Sequence, residues 1–288
     1  MKIGPISDEA FDLPEEIIEK YKIGVARFKI DLQELKNLPG NIYQKTREAE
    51  RRGIESVVKT SQPSINDFLS IFKEKLNEFE EVFCVTISSK LSGTYNAAVQ
   101  AKKFLQKEFQ DKVHVIDSLN GSAGQGLVVL KIIELAKRNL NSQEINNKIK
   151  ESIEKTKLLG MYHDPKWLKA SGRFPRFVPA IMEKAEKMSI KPVFRMENGK
   201  LSVAGVKRNI IDLSSALFEE FDKATKKARR EGKKIIVGIT HADDISQATK
   251  LKEMVLSLKN TEIAFINLTC FSIGGHIGPN SLILSWQE

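Results

Sequence analysis

The first half of the chain alternates short apolar segments with amphipathic ones, and this alternation constrains the fold more than any other feature. Apolar runs at residues 82–87 and 113–116 predict buried β-strands. The segments that follow them, 97–109 and 127–139, repeat apolar residues at helical spacing. Strands that alternate with helices predict a parallel sheet covered by helices. We therefore expect an α/β domain with a parallel sheet over residues 1–155.

The second half of the chain carries a different pattern, in which a hairpin is mixed with helices. Asn198-Gly199 lies between two apolar segments, and this dipeptide favours the tight turn of a β-hairpin. A long helical pattern at 212–230 and further strand patterns follow it. These features predict an α+β domain over residues 156–288, although no Pro- or Gly-rich linker marks the boundary. The predicted fold class is α/β, with an N-terminal parallel-sheet α/β domain and a C-terminal α+β domain.

Three segments rich in Ser, Thr and Gly lie where helices of the first half are predicted to begin. They are residues 60–64 (TSQPS), 88–96 (SSKLSGTYN) and 117–126 (DSLNGSAGQG). In an open parallel sheet such turns gather beyond the carboxyl ends of the strands, where ligands bind. The start of a helix also offers unpaired N–H groups and a positive dipole end to a phosphate or carboxylate. The local alternative is that Ser92 or Thr94 merely caps its helix, and that Asn66 caps the helix after the first segment.

Charge and composition limit the other functions that the chain could have. The net charge of +9 permits binding to nucleic acid, an anionic membrane or an acidic protein. The densest basic run, at 226–234, closes a predicted helix, where cations complement the helix dipole and remain solvated. No aromatic residue interleaves with this run, which disfavours single-stranded nucleic acid as a partner.

The remaining composition favours a cytoplasmic protein without cofactor or metal. Cys84 and Cys270 lie in or beside apolar strands, and we expect two quiet thiols rather than a disulfide. The four histidines have no paired ligand spacing, and His241 is expected to support a loop or a helix cap. No phosphate-binding loop or dinucleotide fingerprint is found. The chain opens without a signal peptide, and no apolar run is long enough for integral membrane insertion.

The ordered motifs resemble those of the DegV family, bacterial fatty-acid-binding proteins that serve as lipid-carrying subunits of fatty-acid kinase. The pairing of TSQPS with LSGTYNAA at this spacing is the most specific part of the resemblance. The matching elements run almost from end to end, at residues 8–14, 60–64, 88–98, 115–126, 172–173, 191–193, 241–243 and 275–279.

The resemblance implies roles for individual residues. Thr60 and Ser92 match the hydroxyl residues that hold the fatty-acid carboxylate in the family. Arg173 and His276 match positions near the head group or facing the kinase. Singly, Arg173 could equally be a solvated loop residue and His276 a turn element. The further contacts expected by position are Ser61, Gly93 and Ser122.

Three motifs depart from the family pattern. The family usually has Asp-Ser-Thr where this chain has Asp8-Glu9-Ala10, so only Asp8 remains a candidate in that loop. The Gly-Gly-Arg motif is Ser-Gly-Arg here. Asn280 replaces the final Gly of His-x-Gly-Pro-Gly, and Asn still tolerates a positive φ.

By this resemblance the chain is a carrier rather than an enzyme. It would bind one long-chain fatty acid at a site between the two domains, bury its tail there and present the carboxylate to a separate kinase catalytic subunit that makes acyl phosphate. The enzymatic alternative is a serine hydrolase that acts on a lipid ester through Ser92 and His276, although no Gly-x-Ser-x-Gly elbow surrounds Ser92. A nucleic-acid-binding protein is the third alternative, and the chain has no recognisable motif for it.

Overall fold

The strands of the first half form one parallel sheet, as the alternating pattern predicts. The structure is a computed structural model that describes residues 2–31, 35–53, 60–138, 140–164, 166–167, 184–185, 187–210 and 212–288. The sheet has the order β2-β1-β5-β6. Its strands are β1 (Ile3–Asp8), β2 (Gly24–Ala26), β5 (Glu81–Thr86) and β6 (Val113–Asp117). A separate two-stranded antiparallel ribbon pairs β3 (Lys29–Ile30) with β4 (Thr60–Ser61).

Helices cover both faces of this sheet. They are α1 (Glu15–Lys20), α3 (Ile65–Glu78), α4 (Thr94–Lys103), α5 (Lys107–Gln110), α6 (Ser122–Ala136) and α7 (Ser142–Lys155), with a 3₁₀ helix at Glu9–Phe11. Helix α2 (Ile42–Arg51) packs instead with Ala242 and Phe271 of the second half. Helix α6 is buried along most of its length because it packs against strands of both sheets. At Gly126 a Cβ would overlap the Phe11 carbonyl, so the close packing of α6 requires glycine there.

The second half forms a six-stranded mixed sheet in the order β11-β10-β12-β7-β8-β9. Its strands are β7 (Lys157–Met161), β8 (Ile190–Glu197), β9 (Lys200–Arg208), β10 (Ile235–His241), β11 (Thr261–Leu268) and β12 (Leu282–Gln287). Only β10 and β11 are parallel to each other. The helices are α8 (Leu213–Arg230), α9 (Ile245–Leu256) and α10 (Phe271–Ile277). The mixed α/β architecture confirms the predicted fold class.

The predicted hairpin is present between β8 and β9. Asn198 and Gly199 have φ of 50° and 79°, the left-handed values that a tight two-residue turn requires. The division into domains at residues 155 and 156 stays a prediction. Strand β7 of the second sheet begins directly after α7, yet Phe265 of β11 packs into the core around α6.

Several sequence-based boundaries were wrong, for local physical reasons. The segment 23–30 forms two short strands in different sheets, although its apolar pattern is typical of one continuous strand. The helix expected over 97–109 begins at Thr94 and breaks after Lys103. The Gly-rich segment 121–126 is largely the first turns of α6 rather than a loop. Its small residues allow α6 to approach both sheets closely.

Two helix caps also differ from expectation. Ser64 caps α3 in place of Asn66, and Asn141 caps α7. Each accepts a hydrogen bond from the third helical amide, while Asp67 or Glu144 at that position bonds back to the cap. These reciprocal pairs satisfy two otherwise unpaired N–H groups at each helix start.

Candidate functional site

The β3–β4 ribbon brings Thr60 against helix α10. Thr60 pairs with Ile30 across the ribbon, and its Oγ1 lies 3.3 Å from Nε2 of His276. Both side chains are only partly buried, so this pair remains accessible to a ligand. Ser61, the next residue, is exposed at the end of the same short strand. The structure therefore joins two sequence-predicted residues that lie 216 positions apart.

The loop after Thr60 lies against the start of helix α4. A Cβ at Gly93 would overlap the side-chain amide of Gln62, so the two loops are in direct contact there. Ser92 precedes Gly93, and its Oγ lies 2.8 Å from Oγ1 of Thr94. The Thr94 amide donates a long bond of 3.4 Å to the same oxygen. The Ser92 hydroxyl thus accepts only a weak hydrogen bond from a backbone amide of its own loop. The N-terminal end of α4 lies beside the TSQPS segment.

Helix α10 is held in place by α2, whose role the sequence did not reveal. The Tyr43 hydroxyl donates to the Thr269 carbonyl at 2.6 Å, just before α10 begins. Gly274 leaves no room for a Cβ because the Tyr43 ring lies directly over it. Arg47 forms an ion pair with Asp243 and donates to Oδ1 of Asn280. These contacts fix the helix that carries His276.

The turn after α10 keeps the expected backbone. Asn280 has φ of 63°, so it adopts the left-handed conformation in place of glycine. Gly278 has φ of 82° and packs against the Trp167 ring, where a side chain has no space. Glycine is required at Gly278 by both the backbone angle and the close contact.

Ser122 lies away from this cluster. Its hydroxyl donates to Oδ2 of Asp12 at 2.6 Å and lies 2.6 Å from Oγ1 of Thr240. The side chain is almost fully buried, and we therefore leave it out of the proposed site. Its contacts instead connect the start of α6 with β10 of the second sheet. Arg173 lies outside the described residues.

Two buried carboxyl groups support the loops around the site. Asp8 accepts from the amides of Ile87 and Ala10 and from the Gln125 side chain. Burial raises the pKa of Asp8 to about 7 despite these donors. Asp12 accepts from Ser122 and, at 2.7 Å, from the amide of Cys270, and burial likewise raises its pKa to about 7. The internal hydrogen bonds of Asp8 favour a structural role rather than ligand contact.

The other singled-out polar groups are structural in this geometry. His241 Nδ1 accepts from the Asp244 amide at 3.1 Å, and burial lowers the pKa of the imidazole. Burial raises the pKa of the Cys84 and Cys270 thiols, and both cysteines are free. Among the described residues, no cluster of His, Cys, Asp and Glu could hold a metal ion.

The contacts do not form the nucleophile–base pair of a serine hydrolase. The described contacts pair Ser92 with Thr94 and His276 with Thr60. A hydrolase needs its base within hydrogen-bond reach of the nucleophile, and the geometry instead gathers hydroxyls around a helix start. Within the described segments, no helix is both long enough and apolar enough to cross a membrane.

Proteins similar to this chain match it over almost its whole length. A family profile described as "Uncharacterised protein, DegV family" matches residues 2–288. DegV domain-containing protein CPE1310 of Clostridium perfringens is 31% identical over 292 residues, covering 100% of this chain and 99% of that protein. A protein of Thermotoga maritima named fatty acid-binding protein is 28% identical over 297 residues, covering 98% and 96%. A solved structure from Thermus thermophilus, described as fatty acid binding of a DegV family protein, has a TM-score of 0.85 at 25% identity and covers 100% of both chains.

Proposed function

The chain belongs to the DegV family, and on that premise we propose that it binds one long-chain fatty acid and presents its carboxylate to a separate kinase. The tail is buried between the two halves, and the head group lies between Thr60 and Ser92. Binding a tail contributes about 0.8 kcal/mol per buried methylene, so most of the affinity comes from apolar burial. The polar residues then orient the carboxylate.

One observation carries this proposal: the TSQPS loop, the start of α4 and His276 meet at one place. Thr60 lies 3.3 Å from His276, and Gln62 contacts Gly93 beside Ser92. Hydroxyl groups and helix-start amides can donate several hydrogen bonds to a carboxylate without a formal positive charge. The fatty-acid-binding relatives from Thermotoga and Thermus support this ligand class.

The placement of His276 at the edge of the proposed site supports the kinase-facing role that we propose for it. Phosphoryl transfer to a carboxylate gathers negative charge at the attacked group, which an imidazole or a guanidinium can stabilise. His276 is partly exposed and stands in a Gly-rich segment. We assign Arg173 the same role on sequence resemblance alone. The chain itself supplies binding and orientation, and catalysis belongs to the partner subunit.

Denaturing extraction and mass spectrometry of the purified protein test this proposal. We expect about one fatty acid per chain, or uptake to that ratio when lipid-free protein receives oleate. The matched variants His276→Ala and Arg173→Ala should load fatty acid but slow acyl-phosphate formation with the cognate kinase. Protein that carries no lipid and takes up neither oleate nor palmitate would overturn the proposal. Wild-type phosphorylation rates in both variants would overturn the kinase-facing assignment alone.

A further inference from the structure

Glu9 is an acidic residue in the 3₁₀ helix that contacts α10, the helix that carries His276. Its carboxyl group lies beside the Ser272 hydroxyl, the Phe28 amide and the Arg27 guanidinium. Ser272 and His276 are separated by one turn of α10 and therefore share a face of that helix. Phe28 immediately precedes strand β3, whose Ile30 pairs with Thr60. Glu9 thus contacts both elements that flank the Thr60–His276 pair.

One oxygen of this carboxyl has no partner. Glu9 Oε1 is buried without a hydrogen bond, although the residue as a whole is only partly buried. A buried, unpaired carboxylate oxygen is costly, and the cost falls when the group is protonated or gains a donor. The oxygen is therefore open to a hydrogen-bond donor that none of the described residues supplies.

The surroundings favour the neutral form of Glu9. Burial raises the pKa of the Glu9 carboxyl, and the Phe28 amide, Arg27 and Ser272 oppose that rise without cancelling it. The titratable groups that interact electrostatically with it are Asp8 and Asp12 on its own loop, Arg27 before β3, and Cys270 beside α10. Asp8 and Asp12 already accept hydrogen bonds from backbone amides of the protein. Of these three carboxyl groups, Glu9 is the one with a buried oxygen that accepts no hydrogen bond.

We propose that Glu9 is a specificity-determining residue of the head-group site, and that its neutral carboxyl donates a hydrogen bond to the fatty-acid carboxylate. This inference rests on the proposed fatty-acid function. Two close carboxylates cannot both stay ionised without a large repulsion, so the pair shares one proton. Above the pKa of unliganded Glu9 that proton comes from solvent, and binding takes it up. A neutral head group, such as a fatty amide, needs no such proton.

Calorimetric titration of lipid-free protein with oleate tests the inference, in buffers that differ in ionisation enthalpy. Above the pKa of unliganded Glu9, the wild type should take up at most one proton per oleate bound, and affinity should fall with rising pH by up to about tenfold per pH unit. Glu9→Gln keeps the shape, and it should take up almost no proton and bind oleate with little pH dependence. Glu19→Gln, an exposed change on α1, should behave as the wild type.

Oleamide provides a test that needs no variant. Wild-type protein should bind it without proton uptake, and this comparison holds even if Glu9→Gln fails to fold. Proton uptake that persists in folded Glu9→Gln would assign the proton to His276 or another group and overturn the inference. Oleate binding to the wild type with no proton uptake would also overturn it while leaving the proposed function intact. Failure of the wild type to bind oleate at any pH would overturn the proposed function itself.

Discussion

Thr60 and Ser92 stand on two sides of the proposed head-group site, and the two sides are built differently. Ser92 contacts Thr94, two residues along its own loop, within one strand–turn–helix unit. Thr60 contacts His276 across 216 positions, and α10 is positioned by Tyr43 from α2. One side thus forms locally, whereas the other requires both halves of the chain to be assembled. We therefore expect ligand binding at the proposed site to depend on the stability of the contacts between the halves.

The largest expected effect on stability comes from Tyr43, which supports α10 on the Thr60–His276 side of the site. Tyr43 is fully buried and bonds the Thr269 carbonyl. Tyr43→Ala should lower the unfolding free energy by about 3–5 kcal/mol and weaken oleate binding, because α10 loses its support. Tyr43→Phe should cost only about 1–3 kcal/mol through the unpaired carbonyl. Chemical denaturation measures both, and wild-type stability in Tyr43→Ala would refute the role given to α2.

Replacement of the buried Asp12 carboxyl, which lies between the halves, should change how the free energy of unfolding depends on pH. Burial raises the folded-state pKa of Asp12 to about 7, above its ordinary value of 3.8. A group with a raised folded pKa stabilises fully below its unfolded pKa, and this contribution is lost as pH rises through the folded pKa. Relative to the wild type, Asp12→Asn should gain up to about 1.4 kcal/mol of unfolding free energy per pH unit from about pH 4 to 7. The measurement is urea unfolding of both proteins across that range. If Asp12 did not titrate there, the unfolding free energies of the wild type and Asp12→Asn would differ by the same amount at every pH.

Single hydroxyl removals should have intermediate effects on binding and small effects on folding. Thr60→Val and Ser92→Ala should each weaken fatty-acid binding by about 1.5–3 kcal/mol, the value of a hydrogen bond to a charged group. Thr60→Ser is the matched control because it keeps the hydroxyl.

The two sides should also respond differently to a second change at His276. Thr60→Val and His276→Ala should be non-additive in binding because the side chains are in contact, whereas Ser92→Ala and His276→Ala should add within about 0.5 kcal/mol. If the single variants Thr60→Val and Ser92→Ala instead lower thermal stability and leave fatty-acid affinity unchanged, their hydroxyls are helix caps.

The smallest effect is expected in the basic run at the end of α8, far from either side. The Lys227 side chain is 91% exposed and lies 3.9 Å from Glu231. Lys227→Ala should change the unfolding free energy by no more than about 0.5 kcal/mol and leave oleate affinity unchanged. Salt-sensitive retention on DNA that disappears in this variant would revive the nucleic-acid alternative.

Structure that depends on neighbouring residues, such as the Ser92 side of the site, was more predictable from sequence than structure that depends on distant residues, such as the Thr60 side. The strands 82–87 and 113–116 and the Asn198-Gly199 hairpin follow from local pattern, and the fold class and the family are confirmed. The contacts of Tyr43, Gln62 and Glu9 were missed because each depends on a neighbour distant in sequence. Gly274 beside the Tyr43 ring and Gly93 beside Gln62 were the available signals, since glycine often marks a close approach.

Helix starts show a second limit of sequence reasoning. Ser64 and Asn141 cap α3 and α7 because the acid three residues later bonds back to each of them. The nearby Asn66 and Ser142 have equally suitable side chains, and only this reciprocal pairing separates the candidates. The start of helix α6 was missed for a different reason. Its first turns are buried on nearly all sides, so they lack the amphipathic pattern that marks a helix in the sequence.

A crystal structure of the protein with bound oleate tests the central claim most directly. The account predicts a carboxylate oxygen within hydrogen-bond distance of both Thr60 Oγ1 and Ser92 Oγ, with the tail buried between the two sheets. A carboxylate bound elsewhere, for example at the groove lined by Lys2, Lys20 and Lys137 on the first sheet, would contradict it.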